Sequence, residues 1–233
     1  NNVSTGTIAV TSGTVKSTDR TAIYNTSTGT ITVSGGNISG TNGIFNGAGG
    51  KITVSGGTIT AITGQGIRVY TGTLTISGTP TIKAVTYGVS TTEGTATIKG
   101  GTIEVTGGPG AHTTTGTLTI GTKEETTPQV STTKPSITGS TVGVQKTSSS
   151  GTINFYDGVI KGPSGKSISG TVADVQDGYE IIKNAETIDG VAREVAYLEK
   201  IKVAIFDTGA NVNVKMKKLS GSTSAITGSA NSN

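Results

Sequence analysis

The chain of 233 residues has no cysteine, no tryptophan, a single methionine and only 4% aromatic residues. Without cysteine there is no disulfide framework and no thiolate metal site, and the redox compartment is unread. Few aromatics and a hydrophobic share of 31% give too little bulk for a thick globular core of this length. A solenoid escapes that limit, because each coil is thin and buries only a few inward side chains. No apolar run approaches the roughly 18 residues of a membrane-spanning helix. No signal peptide is recognised and the chain starts at Asn1, which reads as a processed mature protein or a fragment of a longer one. A strong charge of one sign is also missing. The net charge is +4, and residues 1–171 carry 11 Lys and Arg against 6 Asp and Glu, scattered singly. That pattern describes a solvated surface and argues against a nucleic-acid face.

What the chain does have is glycine, threonine and serine in a regular rhythm. Such a composition would suit a disordered segment, but β-branched residues recurring at fixed spacing argue against disorder. The stretch from Gly29 to Thr71 is nearly one sentence written twice, each copy holding three short apolar pulses separated by glycine. Self-similarity at this length marks a solenoid, a propeller or an array. Coil-opening glycines fall at Gly6, Gly29, Gly50, Gly72, Gly94, Gly116 and Gly151, spaced 23, 21, 22, 22, 22 and 35 residues apart. After each opener, alternation at period two sends Ile8, Ile31, Ile52, Leu74, Ala96, Leu118 and Ile153 to one face and threonines to the other.

A second pulse (Thr14-Val15, Asn37-Ile38, Thr58-Ile59) and a third (Ile23-Tyr24, Ile44-Phe45, Ile67-Arg68) complete each unit. Three strands in about 22 residues, with glycine at the corners, is the arithmetic of a parallel β-helix. The expected fold is therefore all-β: a right-handed parallel β-helix of about seven coils over residues 1–171. Residues 121–135 read as a polar excursion inserted at one corner. Residues 172–219 change to a charged composition with strand-like runs at Tyr179–Lys183, Glu194–Ile205 and Val212–Met216 and turn signals at Asp177-Gly178, Asp189-Gly190 and Thr208-Gly209. They read as a small antiparallel cap, followed by a Ser/Gly/Thr tail over 220–233.

Three surface features compete as candidate sites. Tyr24 and Phe45 hold equivalent positions, each followed by asparagine (Asn25, Asn46), with Arg68 next in the column. This set is a candidate sugar-binding or interface patch. Thr-x-Thr pairs such as Thr73/Thr75 and Thr95/Thr97 form an outward array resembling the flat faces of ice-binding solenoids, interrupted by Ala9, Lys51 and Asn154; this is the weaker reading, since threonine suits any outward strand position. The bare first coil (Val3, Ile8, Val10), the edge-strand pattern Val212, Val214 and Met216, and Ala225 and Ile226 of the tail are candidate self-assembly elements. His112, the lone histidine, shares the column of Tyr24 and has no metal partners in sequence, so a structural or solvent-facing role is expected. The acids Asp19, Glu93, Glu104, Glu124, Glu125 and Asp157 sit at different places in the repeat, which argues against an acid/base pair, a Ca²⁺ site or an enzyme, and no cofactor is expected. Asn2-Val3-Ser4, Asn25-Thr26-Ser27 and Asn37-Ile38-Ser39 match the glycosylation acceptor pattern.

The repeated Gly-Thr-Ile-Thr-Val-Ser-Gly-Gly-Thr-Ile units resemble the Gly/Thr-rich right-handed β-helix repeats of bacterial, especially Gram-positive, cell-surface proteins. Gly151–Gly162, with Asp177-Gly178-Tyr179-Glu180 and Ala196-Tyr197-Leu198-Glu199, is similar to the closing module of those proteins. The resemblance covers residues 6–200 or so. It implies an extracellular, non-catalytic protein that projects, spaces, adheres or assembles. The leading expectation is a structural subunit forming head-to-tail fibres as a homopolymer. The alternative is an adhesin or carbohydrate-binding module with a glycan or cell-surface ligand. Neither nucleic acid nor a membrane span is expected.

Overall fold

The computed structural model describes residues 1–124, 130–131 and 134–202. Among these there is no helix, and so none long and apolar enough to cross a membrane. The chain winds as a parallel β-solenoid of about seven turns, its strands gathered into three sheets of 8, 9 and 7 strands. The first sheet begins Thr7–Val10, Thr30–Val33, Lys51–Val54 and Thr73–Ile76. The second begins Thr14–Lys16, Asn37–Gly40 and Thr58–Ala61, and the third Ile23–Asn25, Ile44–Asn46 and Gln65–Val69.

Register follows the repeat without a slip. Ile8 pairs with Ile31, Ile31 with Ile52, Ile52 with Leu74, Leu74 with Ala96, Ala96 with Leu118, and Leu118 with Ile153. Each expected inward residue from Ile31 onward is buried, while Ile8 in the first coil is only partly buried. A one-residue slip would expose the whole column, so burial fixes the pairing. A second inward column, Val10, Val33, Val54, Ile76, Ile98 and Ile120, runs on through the fully buried Phe155 to the partly buried Val175. The bulkier ring fills the core where the last full coil has only one coil neighbour.

Glycine is required where one coil bears on the next. Gly57 opens the second strand of its coil at a φ of 80°, and a Cβ there would lie 2.6 Å from the Gly36 carbonyl oxygen. Gly88 faces inward, and a Cβ would meet Cγ2 of Ile103 at 2.2 Å. The glycine there leaves the space that the isoleucine of the next coil fills.

The excursion at 121–135 leaves between the first and second strands of the sixth coil, Thr117–Ile120 and Ser136–Thr138. Its described residues fold back onto the body. Lys123 Nζ lies 3.0 Å from Asp174 Oδ2 and 3.4 Å from Asp177 Oδ1, and Gln176 Nε2 donates to the Glu124 carbonyl at 2.7 Å. Asp157 Oδ1 accepts the Gly158 and Ser131 amides. Burial raises the Asp157 carboxyl above its usual value, against the pull of those two amides.

Residues 172–202 turn antiparallel. The strands Tyr179–Ile188 and Val191–Lys200 flank Asp189-Gly190, whose φ values of 51° and 75° are those of a type I′ hairpin turn. The second of these strands pairs antiparallel with Val159–Pro163, so the hairpin extends the second sheet. Val195, Ala196 and Leu198 are buried by it, and Tyr179 and Ile181 pack on the core. The compact unit runs from Asn1 to Glu199, and the hairpin is continuous with the solenoid at the boundary expected near residue 171. The expected elements at Val212, Val214, Met216, Ala225 and Ile226 lie outside the described residues.

Candidate functional site

The third sheet carries the most varied side chains of the solenoid. In-register pairing places Tyr24 beside Phe45 and Phe45 beside Arg68. Parallel strands are about 4.8 Å apart, so aromatic residues in one outward column stack as a consequence of register. The Tyr24 and Phe45 rings lie 4.7 Å apart with planes 18° from parallel, and the Arg68 guanidinium sits 5.5 Å from the Phe45 centroid. Tyr24 is 39% exposed, and Phe45 and Arg68 are half-buried.

Asn25 and Asn46 are not part of that exposed patch, a correction to the expectation. Both are completely buried. Asn25 Nδ2 donates to Asn46 Oδ1 at 2.7 Å and to the Ser27 carbonyl at 2.9 Å. Asn46 Nδ2 reaches the carbonyls of Ala48, Gly50 and Thr71 at 2.9, 3.0 and 2.9 Å. Asn2 opens the same column, its Nδ2 donating to the Gly6 carbonyl at 2.8 Å. The asparagines are an internal ladder that adds a second hydrogen bond to corner carbonyls such as those of Gly6, Gly29 and Gly50, which also accept the Thr30, Lys51 and Thr73 amides of the next coil. Period-two alternation carries the signal, because it puts Asn25 on the same face as Ile23. Burial also removes Asn2 and Asn25 as accessible glycosylation acceptors, and only Asn37 of the three is exposed.

Three residues absent from the expectation complete the patch. Thr21, Asn42 and Gln65 stand three positions before Tyr24, Phe45 and Arg68 in successive coils, and the six together line an open depression of about 240 Å³. Asn42 organises that wall. Its Nδ2 donates to Thr21 Oγ1 at 3.3 Å and its Oδ1 accepts the Gln65 amide at 2.9 Å. Gln65 Oε1 is buried and has no hydrogen-bond partner among the described residues. The signal in the sequence was the shared offset of three, which repeats with the coil.

Further along the sheet, Ser90 and His112 continue the column of Arg68. His112 is buried, with Nδ1 3.4 Å from Ser90 Oγ and Nε2 3.1 Å from Thr147 Oγ1, and burial lowers its pKa. Its nitrogens meet hydroxyls and its ring lies 5.0 Å from that of Tyr87, which fits a structural role.

The threonine array of the first sheet is continuous in one column, Thr32, Thr53, Thr75, Thr97 and Thr119, flanked by Ala9 and Asn154. The other column is broken by Lys51. Of the candidate assembly residues in the first coil, Val3 is 72% exposed and Ile8 is half-buried. Val10 is only 6% exposed and packs inward against the core, so it is corrected from an assembly residue to a core residue. Among the described residues no three His, Asp or Glu side chains gather into a metal-binding group. A second depression, of about 190 Å³, lies beside Tyr156, Asp157 and Gln176 under the excursion. Of its lining residues, Tyr156 Oη donates to Asp174 Oδ2 at 3.0 Å and Gln176 Nε2 to the Glu124 carbonyl at 2.7 Å.

Comparison with family models, with curated proteins and with solved structures finds no match for this chain. Fold and surface therefore define its class: an all-β repeat protein, a parallel β-solenoid of about seven turns.

Proposed function

We propose that this solenoid is an extracellular, non-catalytic structural protein that assembles end to end into a fibre. The observation that carries the reading is the second sheet. Among the described residues its two outer strands, Thr14–Lys16 and Tyr179–Ile188, each have a neighbour on one side only. Such strands carry rows of unpaired amides and carbonyls that template pairing with another chain. At the first-coil edge the apolar residues are incompletely covered, with Ile8, Val15 and Ala22 only partly buried and Val3 exposed. Joining one edge to the other is a heterologous contact, which propagates as an open filament. The likeness of the repeats to Gly/Thr-rich bacterial cell-surface β-helix proteins supports the location. The ion pairs at the surface, such as Lys83 with Glu104 at 3.9 Å, support a solvated wall and not a reacting centre.

Sedimentation across a wide concentration range, with negative-stain imaging, tests this. Filaments or concentration-dependent oligomers are expected, and Ile8→Lys together with Val15→Lys suppresses them. A protein that stays monomeric at high concentration, or polymers indifferent to both substitutions, overturns the reading.

A further inference from the structure

We propose that the depression between Tyr24/Phe45/Arg68 and Thr21/Asn42/Gln65 binds one ring of a carboxylated saccharide chain, a uronate. The inference goes beyond the structural reading, because it assigns a ligand to the solenoid wall and does not depend on assembly. Four observations meet at this place. An aromatic pair stacks at 4.7 Å with Tyr24 39% exposed, which offers apolar ring surface for the C–H face of a sugar. Arg68 is held over Phe45 at 5.5 Å and has no carboxylate within ion-pair distance among the described residues. A planar guanidinium in this state is a ready partner for a carboxylate, which it binds bidentately. The opposite wall is hydroxyl and amide, suited to sugar hydroxyls, and Gln65 Oε1 is a buried acceptor that lacks a donor. That oxygen is out of reach as it stands, and turning the Gln65 side chain outward to a ligand hydroxyl would give it the donor it lacks.

Size and shape narrow the ligand. At about 240 Å³ the depression is below the roughly 300–1,000 Å³ of enclosed ligand pockets, so it accepts a single ring of a longer chain. The three coils it crosses repeat at the roughly 4.8 Å strand spacing, which gives a groove about 10 Å long, open at the surface. Only one cation lines it, so charge complementarity selects one carboxylate per ring and not a densely sulfated chain.

Titration calorimetry with short oligogalacturonates, and with the same oligomers reduced at the carboxyl to galactose units, tests the assignment on the whole chain. The acidic oligomers are expected to bind and the reduced ones to bind about tenfold or more weakly, as for loss of one charge-assisted pair. Arg68→Gln should abolish that difference, so that acidic and reduced oligomers bind the variant alike. Tyr24→Ala should weaken both series, and Gln65→Leu should weaken both without altering the acidic preference. Circular dichroism melts matched to the parent chain certify each variant as folded, and Arg68→Gln, at a half-buried surface position, keeps the test informative if Tyr24→Ala does not fold. Absence of binding by the parent chain at millimolar oligomer, equal affinity for acidic and reduced oligomers, or acidic binding unaffected by Arg68→Gln overturns the proposal. Filament formation is read separately, so either result stands without the other.

Discussion

The third sheet solves the same corner in two ways. In the first coils the inward column is Asn2, Asn25 and Asn46, each asparagine donating to the carbonyl of the glycine four residues later. Two coils further on the column is Thr91 and Thr113, where Thr113 Oγ1 donates to the Gly116 carbonyl at 2.9 Å and Thr91 Oγ1 has no partner among the described residues. The outward column changes in step, from Tyr24, Phe45 and Arg68 to Ser90 and His112. The backbone path is retained across this change. The comparison teaches that the corner accepts an inward donor without requiring one, since Val69 stands between Asn46 and Thr91 in the same column and the Gly50 and Gly116 carbonyls also accept the Thr73 and Thr152 amides. An asparagine ladder also links coil to coil, since Asn25 bonds Asn46 directly, whereas the threonine serves only its own turn.

The largest test of that difference is Asn46→Ala. It removes four side-chain hydrogen bonds, those from Asn46 to the carbonyls of Ala48, Gly50 and Thr71 and the one it accepts from Asn25 Nδ2, at roughly 0.5–1.5 kcal/mol each. A loss of about 3 kcal/mol or more in urea unfolding is expected, and a loss under about 1 kcal/mol would mean that the ladder is dispensable. Ile52→Ala, in the fully covered third coil, should cost about 2–5 kcal/mol through its cavity, and Ile8→Ala in the partly covered first coil markedly less. Equal losses would show that the first coil is covered in solution. Thr113→Val removes a single hydrogen bond and should cost about 1 kcal/mol, well below the asparagine change.

Acidity separates the two halves further. Burial lowers the pKa of His112, so the unfolded chain takes up its proton first as pH falls. The contribution of neutral His112 is complete above its unfolded pKa of about 6.5 and is lost as pH drops toward the lower folded value. His112→Gln should flatten this part of the stability profile, and hydrogen exchange should localise the loosening to the fifth coil and spare the asparagine corner. An unchanged profile would place the acid sensitivity elsewhere. Glu194 at the hairpin has the same sign at lower pH. Burial raises its pKa, but hydrogen bonds from the Ser167 side chain and amide, with Lys183, more than offset this and leave it below the usual carboxylate value. The smallest effect belongs to the exposed Lys83–Glu104 pair, where Lys83→Ala should move stability by less than about 1 kcal/mol.

Much of this was legible from residue spacing. The opener glycines gave the period, alternation gave the inward ladder through Ile153, and Asp189-Gly190 marked the hairpin turn that formed. The column of Tyr24, Phe45 and Arg68 was visible because a 21–23-residue repeat aligns them. The role of Asn25 and Asn46 was misread because adjacency to an aromatic residue in the chain was taken for adjacency on the surface. Alternation places neighbours on opposite faces. Val10 failed for a related reason: its coil is an end coil, yet its side chain still faces the core.

Sequence alone thus determined the coil count, the strand faces and the register, because all three follow from short-range periodicity and from the burial of β-branched residues. Only the tertiary structure decided what meets across the corners. Thr21, Asn42 and Gln65 share one depression with the aromatic column, and that meeting depends on how the chain turns at each corner. The asparagines act at the following corner, between the third strand and the first strand of the next coil, where they reach the Gly29 and Gly50 carbonyls. A bend angle depends on the packing of the coils above and below, and local sequence does not carry that packing.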